Sequence, residues 1–241
     1  MLARLTNIDP TEALRYLGAR GDVSEELRAE LDAARSLLMR TARPRLVWRE
    51  LERQADGSLT GTGWTPPGED ISALLSGCAR VAIFAATMGA EIELLLRRAQ
   101  RRDMAEALLL DAYAAAAIEN VCDNFCADLA SEAAPLKLTM RYSPGYGDFP
   151  LDEQRRILAL LDAERRIGLS LTPGGLMLPQ KSVTAIIGLR EAADQGPTRE
   201  GQAPPLQAGD PALPALADPC ARCPKRDACP DRPCLSARRG L

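Results

Sequence analysis

The chain has 241 residues, 46% of them hydrophobic and 26% charged. That composition fits one large globular domain or two small ones, with roughly 70% of the unfolded surface buried, and it excludes wholesale disorder and collagen-like structure. A net charge of −3 argues against general nucleic-acid binding. No run of about 18 uncharged apolar residues is present to span a membrane, and Met1 to Asp9 lack the apolar centre of a signal peptide. A cytoplasmic location is the expectation.

The elements read off in order. Asp9-Pro10 pairs a capping residue with proline at the first helical position and starts a short helix that ends by Gly18 to Gly21. Asp22 caps a second helix, about Val23 to Arg40, with Leu27, Leu31, Ala34 and Leu38 at helical spacing. Pro44 breaks it, and Arg45 to Glu52 reads as a strand. Asp56-Gly57 marks a turn, with Ser58 to Thr62 returning as a hairpin. Asp70 caps a short helix ending near Gly77. Arg80 to Thr87 is a buried strand by its unbroken apolar run. Helices follow over about Ala90 to Arg102 and Met104 to Ala133, the second rich in Ala and Leu and free of Gly and Pro. Pro135 ends it. Leu136 to Tyr142 reads as a strand, Pro150 to Asp162 as an amphipathic helix, and Ile167 to Leu171, Leu176 to Leu178 and Ser182 to Leu189 as short strands. Residues 1–190 are thus expected to form an α+β domain with a helical part over 1–43. Residues 191–219, with six prolines, form a linker, and residues 220–241 a cysteine-rich tail.

The chain has no histidine. That removes Ser-His-Asp and Cys-His catalysis and leaves any metal to cysteine, carboxylate or backbone oxygen. Seven cysteines, an odd number, argue against a disulfide framework. Cys122 and Cys126 share a helix face and, like Met88 and Met177, read as packing residues. Cys220-x2-Cys223-x5-Cys229-x4-Cys234 can wrap one ion or cluster, and the basic neighbours Arg222, Lys225, Arg226 and Arg232 favour thiolates. A 4Fe–4S cluster and structural zinc both fit this spacing.

Arg141-Tyr-Ser-Pro-Gly-Tyr-Gly-Asp-Phe-Pro150 is the most informative stretch. Two prolines restrict φ, two glycines allow close backbone approach, Arg141 offers a fork for a carboxylate, and Tyr146 an apolar face with a polar tip. The plainer reading is a structural turn with Arg141 in a salt bridge.

This stretch resembles the R-x-x-P-G-Y signature of the activation domain of cobalamin-dependent methionine synthase. The resemblance extends to V-A-I-F-A-A-T-M-G-A-E (Val81 to Glu91), A-A-I-E-N-V-C-D (Ala116 to Asp123) and L-T-P-G-G-L-M-L-P-Q-K-S-V-T-A-I-I-G-L (Leu171 to Leu189), covering about residues 40–190 in order. It implies an α+β fold, helices with a mixed or antiparallel sheet, and binding of S-adenosylmethionine for reductive remethylation of cob(II)alamin, within methionine biosynthesis. By the resemblance Arg141 holds the ligand carboxylate, and Tyr142 stands where the family offers a backbone carbonyl. Gly145 belongs to the same loop, Tyr146 approaches the corrin, and Pro179 to Ser182 line the ligand groove. Asp70, Asp148 and Glu119 are candidates for further contacts, the first two for the ligand amine. The cobalamin domains of this class ligate cobalt through a histidine that this chain does not have. The resemblance therefore implies a stand-alone activation protein working on a separate cobalamin-binding methionine synthase or corrinoid protein, with a flavodoxin- or ferredoxin-type reductant. The alternative is a cysteine-ligated iron–sulfur or zinc adaptor without methyl-transfer activity. An ordinary methyltransferase is disfavoured, because no G-x-G-x-G loop follows a strand.

Overall fold

Two apolar strands dominate the sheet. V-A-I-F-A-A-T lies in β2 (Arg80–Thr87) and V-T-A-I-I-G-L in β6 (Ser182–Arg190), and both are buried along almost their whole length. In a computed structural model, which describes residues 3–18 and 23–191, they occupy the middle of a four-stranded sheet of order β1-β2-β6-β3. A strand with neighbours on both sides and cover on both faces has no solvated face, which is why these two show no polar alternation. The edges are β1 (Arg45–Glu52), with intermittent burial, and the short β3 (Lys137–Leu138). The sheet is antiparallel: Arg43 N–H donates to Met88 O just before β1, Arg53 N–H to Ala79 O just after it, and Lys137 pairs with Arg190.

The remaining elements are α1 (Pro10–Tyr16), α2 (Glu25–Thr41), α3 (Glu69–Leu74), α4 (Ala90–Arg102), α5 (Met104–Ala133), α6 (Glu153–Leu161), α7 (Ala163–Ile167) and a two-stranded ribbon of β4 (Ser170–Leu171) and β5 (Met177–Leu178). The α+β expectation holds. The described residues divide into two compact units, one drawn from Met1–Arg49, Phe84–Glu132 and Arg155–Thr184, the other from Glu50–Ile83, Ala133–Gln154 and residues 185–191.

In the first unit the core forms around α5. Fourteen of its residues are buried, and they include Ala114, Ala117, Val121 and Phe125. Small side chains let neighbouring backbones approach this helix closely, and Phe125 fills the remaining space against Phe84 at 4.8 Å and Trp48 at 5.8 Å between ring centroids. Its polar face carries Asn120, Asn124 and Asp128 at four-residue spacing. Asn120 Oδ1 accepts from Thr6 N–H at 3.1 Å, Asn124 Nδ2 donates to Arg4 O at 3.0 Å, and Arg4 pairs with Asp128. This stripe straps the N-terminal segment along the helix and seats Ile8 in the core.

The second unit buries Leu59, Trp64, Ile71, Leu75, Val81, Tyr142, Phe149 and Ile186. Its Asp56-Gly57 turn forms as expected, with Asp56 Oδ1 accepting from Ser58 N–H at 2.9 Å. The return is two single bridges, Arg53 with Leu59 and Leu59 with Trp64, in place of a hairpin strand.

Several local expectations change. The capping hydroxyl of α2 is Ser24 Oγ, which accepts from Leu27 N–H at 3.2 Å, while Asp22 lies outside the described residues. Ile167 ends α7 instead of opening a strand, the helix is closed by Gly168 in the left-handed region, and the strand shortens to β4. Asp70 is a residue within α3, whose cap comes from elsewhere. The linker beyond Glu191 and the four tail cysteines lie outside the described residues. No described helix is long and apolar enough to cross a membrane.

Candidate functional site

The Arg141–Pro150 loop is built on β6. Tyr142 and Ile186 exchange two backbone hydrogen bonds, each 2.9 Å, which fixes the loop's entry against the sheet. The loop then closes on itself. Gly145 N–H donates to Phe149 O at 2.8 Å, Tyr146 N–H to Ser143 O at 3.1 Å, and Phe149 N–H to Tyr146 O at 2.9 Å. Pro144 and Phe149 are buried, so the loop is anchored by its own apolar side chains. Tyr142 lies beneath, its ring 6.2 Å from Phe149 and 6.0 Å from Tyr146, the latter edge-on at 83°. Tyr146 is thereby pushed outward, with 56% of its surface exposed. Arg141, partly buried, stands at the loop's base.

Gly147 is required by its surroundings. Its φ is +50°, and a Cβ there would collide with a carboxylate oxygen of Asp70 and with Tyr142 Oη. The phenol and the Asp70 carboxylate therefore face each other across this glycine. Burial, then the nearby charges of Asp70 and Asp148, push the Tyr142 phenol far above its ordinary value, so it stays protonated throughout the physiological range.

Asp148 acts on a different element. Its Oδ2 accepts from Glu69 N–H at 2.5 Å and its Oδ1 from Asp70 N–H at 3.1 Å. One carboxylate so satisfies two of the orphan donors at the start of α3, with the helix dipole in its favour. Gly68, with φ +122°, permits the approach, since a Cβ would lie 2.6 Å from Asp148 Oδ1. Beside this junction an open hollow of about 620 Å³ is lined by Gly68, Glu69, Ser72, Ala73, Ser76 and Asp148. Between the two acidic candidates the geometry distinguishes clearly: Asp148 is committed to a helix cap, while Asp70 faces the loop.

Pro179 and Ser182 belong to the first unit. Leu178-Pro179 is a cis peptide, and Ser182 Oγ donates to Pro179 O at 2.7 Å. The turn is held by Glu93 Oε2, which accepts from Gln180 N–H at 3.2 Å, and by the Lys181–Asp111 ion pair at 2.9 Å. Neither Glu93 nor Asp111 was marked by the sequence, because an isolated acidic residue on a helix reads as a solvated face until its partner is placed. Glu119, Cys122 and Cys126 lie on α5 in this same unit, the two cysteines buried.

The loop offers a guanidinium, a carboxylate, a backbone edge and an exposed aromatic ring, with no histidine anywhere in the sequence. Such a set can hold and orient a ligand that carries a carboxylate and an ammonium group.

The α+β fold is shared with a solved structure, the MetH reactivation domain bound to AdoHcy. It is 19% identical, with a TM-score of 0.56, over 75% of this chain and 73% of that one. The family model for the activation domain of vitamin B12 dependent methionine synthase matches residues 73–195, and the chain belongs to that family. No curated protein matches the sequence.

Proposed function

We propose that this protein binds S-adenosylmethionine and presents its methyl group to cob(II)alamin held by a cobalamin-binding methionine synthase or related corrinoid protein. The observation that carries the reading is the Arg141–Pro150 loop itself. It lies within the segment matched to the activation-domain family, its backbone is tied down, and Tyr146 projects from it into solvent.

In this reading Arg141 grips the ligand carboxylate through its planar fork. Asp70, facing the loop across Gly147, balances the ligand ammonium. The Tyr142 carbonyl already accepts from Ile186 N–H, and its second lone pair is left for the ligand. Gly145 gives the backbone edge, and Tyr146 meets the corrin of the partner. Pro179 and Ser182 remain in the proposed ligand set on the family resemblance alone. The reaction adds one electron, from a flavodoxin- or ferredoxin-type reductant, to cob(II)alamin. The reduced cobalt takes the methyl group as the C–S bond breaks, and that bonding pair stays on sulfur to leave neutral S-adenosylhomocysteine. No proton moves, so the protein contributes by orientation, which converts an encounter into an effectively unimolecular step.

Calorimetric titration with S-adenosylhomocysteine tests the reading. Saturable binding that weakens strongly in Arg141→Lys and Asp70→Asn is expected. Absence of binding by the wild-type chain would rule the function out. Cys220, Cys223, Cys229 and Cys234 are proposed to hold a 4Fe–4S cluster or zinc.

A further inference from the structure

Beneath the Arg141–Pro150 loop one polar group is buried without a partner. The Tyr142 ring packs on Tyr146 and Phe149, at 6.0 and 6.2 Å between centroids, and the residue is only 7% exposed. Its Oη is closed to solvent and has no hydrogen-bond partner, a costly condition for a hydroxyl. Burial, and then the charges of Asp70 and Asp148, keep the phenol protonated, so it is a donor that still lacks an acceptor.

The acceptor it faces is Asp70. A Cβ at Gly147 would collide with both Asp70 Oδ2 and Tyr142 Oη, so the two oxygens border the same small space, and glycine alone leaves it empty. Asp148, the other carboxylate near the phenol, already accepts from the N–H groups of Glu69 and Asp70, at 2.5 and 3.1 Å. The second of these bonds holds the Asp70 backbone and leaves its side chain to turn. Asp70 is half-buried and so joins this closed space to the surface.

We propose that Tyr142 is a positioning residue of the methyl-donor site: its phenol donates to Asp70 Oδ2 and turns the other carboxylate oxygen toward the ligand ammonium. The inference rests on the function proposed above and deepens it. The phenol touches no ligand; it acts through Asp70. The two oxygens face each other without being bonded, so the bond forms as Asp70 turns to the ammonium. A carboxylate tied by one oxygen meets the ammonium in a single orientation, and the bond satisfies the buried hydroxyl at the same moment.

The test is calorimetry on the full chain with S-adenosylhomocysteine and with its analogue carrying hydrogen in place of the amino group. Tyr142→Phe keeps the ring and the backbone carbonyl and removes only the hydroxyl. It should weaken S-adenosylhomocysteine binding by about threefold or more, the scale of one hydrogen bond, and leave the analogue's affinity unchanged. Unaltered affinity for S-adenosylhomocysteine, or the same loss for both ligands, would overturn the assignment and leave the proposed function standing. No binding of S-adenosylhomocysteine by the wild type would overturn both. Thermal melts report whether the variant folds. If it does not, Gly147→Ala takes its place, because it keeps both groups and fills the space between them. A loss specific to the ligand with the amino group is again expected, and no loss, or an equal loss for both ligands, overturns the assignment.

Discussion

Tyr142 and Tyr146 stand four residues apart and have opposite fates: the first is buried under the loop, and the second rests edge-on against it with more than half of its surface exposed. That contrast separates stability from function. Tyr146→Ala removes little buried surface and should cost less than about 1 kcal/mol in a urea melt. The same variant should slow methylcobalamin formation with the cobalamin protein while S-adenosylmethionine still binds. Full stability together with a full reactivation rate would remove Tyr146 from the partner face. Arg141→Lys tests the other end of the loop. Lysine keeps the charge but cannot offer two parallel donors, so the affinity for S-adenosylhomocysteine should fall by about 1.5–3 kcal/mol, the scale of a charged hydrogen bond. Unchanged calorimetric affinity would take Arg141 out of the site.

Among the elements, α3 shows how a short helix depends on the loop. It has six residues and no side-chain cap from its own N-terminal residue, Gly68. Its first N–H groups are met by Asp148, 79 residues further along the chain. Asp148→Ala should therefore destabilise the second unit by about 1–2 kcal/mol, as loss of a helix cap does, and loosen the loop and the helix together. Hydrogen exchange at Glu69 and Asp70 measures this directly, and unaltered protection there would contradict it. In α5 the equivalent dependence is apolar. Phe125, 2% exposed between Phe84 and Trp48, should cost about 3–5 kcal/mol when cut to Ala, measured by denaturant unfolding.

For the whole molecule, pH acts through buried phenols. Burial raises Tyr113 in the first unit, and burial and then Asp70 and Asp148 raise Tyr142 in the second, both from an ordinary value of 10.0. In the folded chain these phenols stay neutral, whereas in the unfolded chain they ionise near pH 10. Their contribution is thus complete below about pH 10 and declines as the pH rises beyond it, because only the unfolded state releases the proton. The urea midpoint should fall on going above pH 10, less steeply in Tyr142→Phe; identical slopes would show that another group governs the loss. The proposed tail site has an equally direct check. Protein made anaerobically with metals in supply should carry iron and sulfide, or zinc, at about one site per chain, and elemental analysis finding neither would exclude it.

Periodicity by itself determined most of the element order. The apolar runs of β2 and β6 and the Gly- and Pro-free stretch of α5 are local properties, and each needs burial whatever its neighbour is. The loop was legible too, because proline and glycine constrain the backbone wherever they stand. Three features were decided only by the tertiary structure. The cap of α3 comes from a residue remote in sequence, whereas local sequence offers only Asp70, next to the helix start. The Asn120, Asn124 and Asp128 stripe reads as a solvated face until the N-terminal segment is laid on it. Arg190, one of 30 basic residues, became distinctive only when β6 carried it into the interior with its Nε and Nη2 buried and unpartnered. A sequence records which groups a chain carries; burial and long-range pairing set what each costs and whom it meets, and both require the fold.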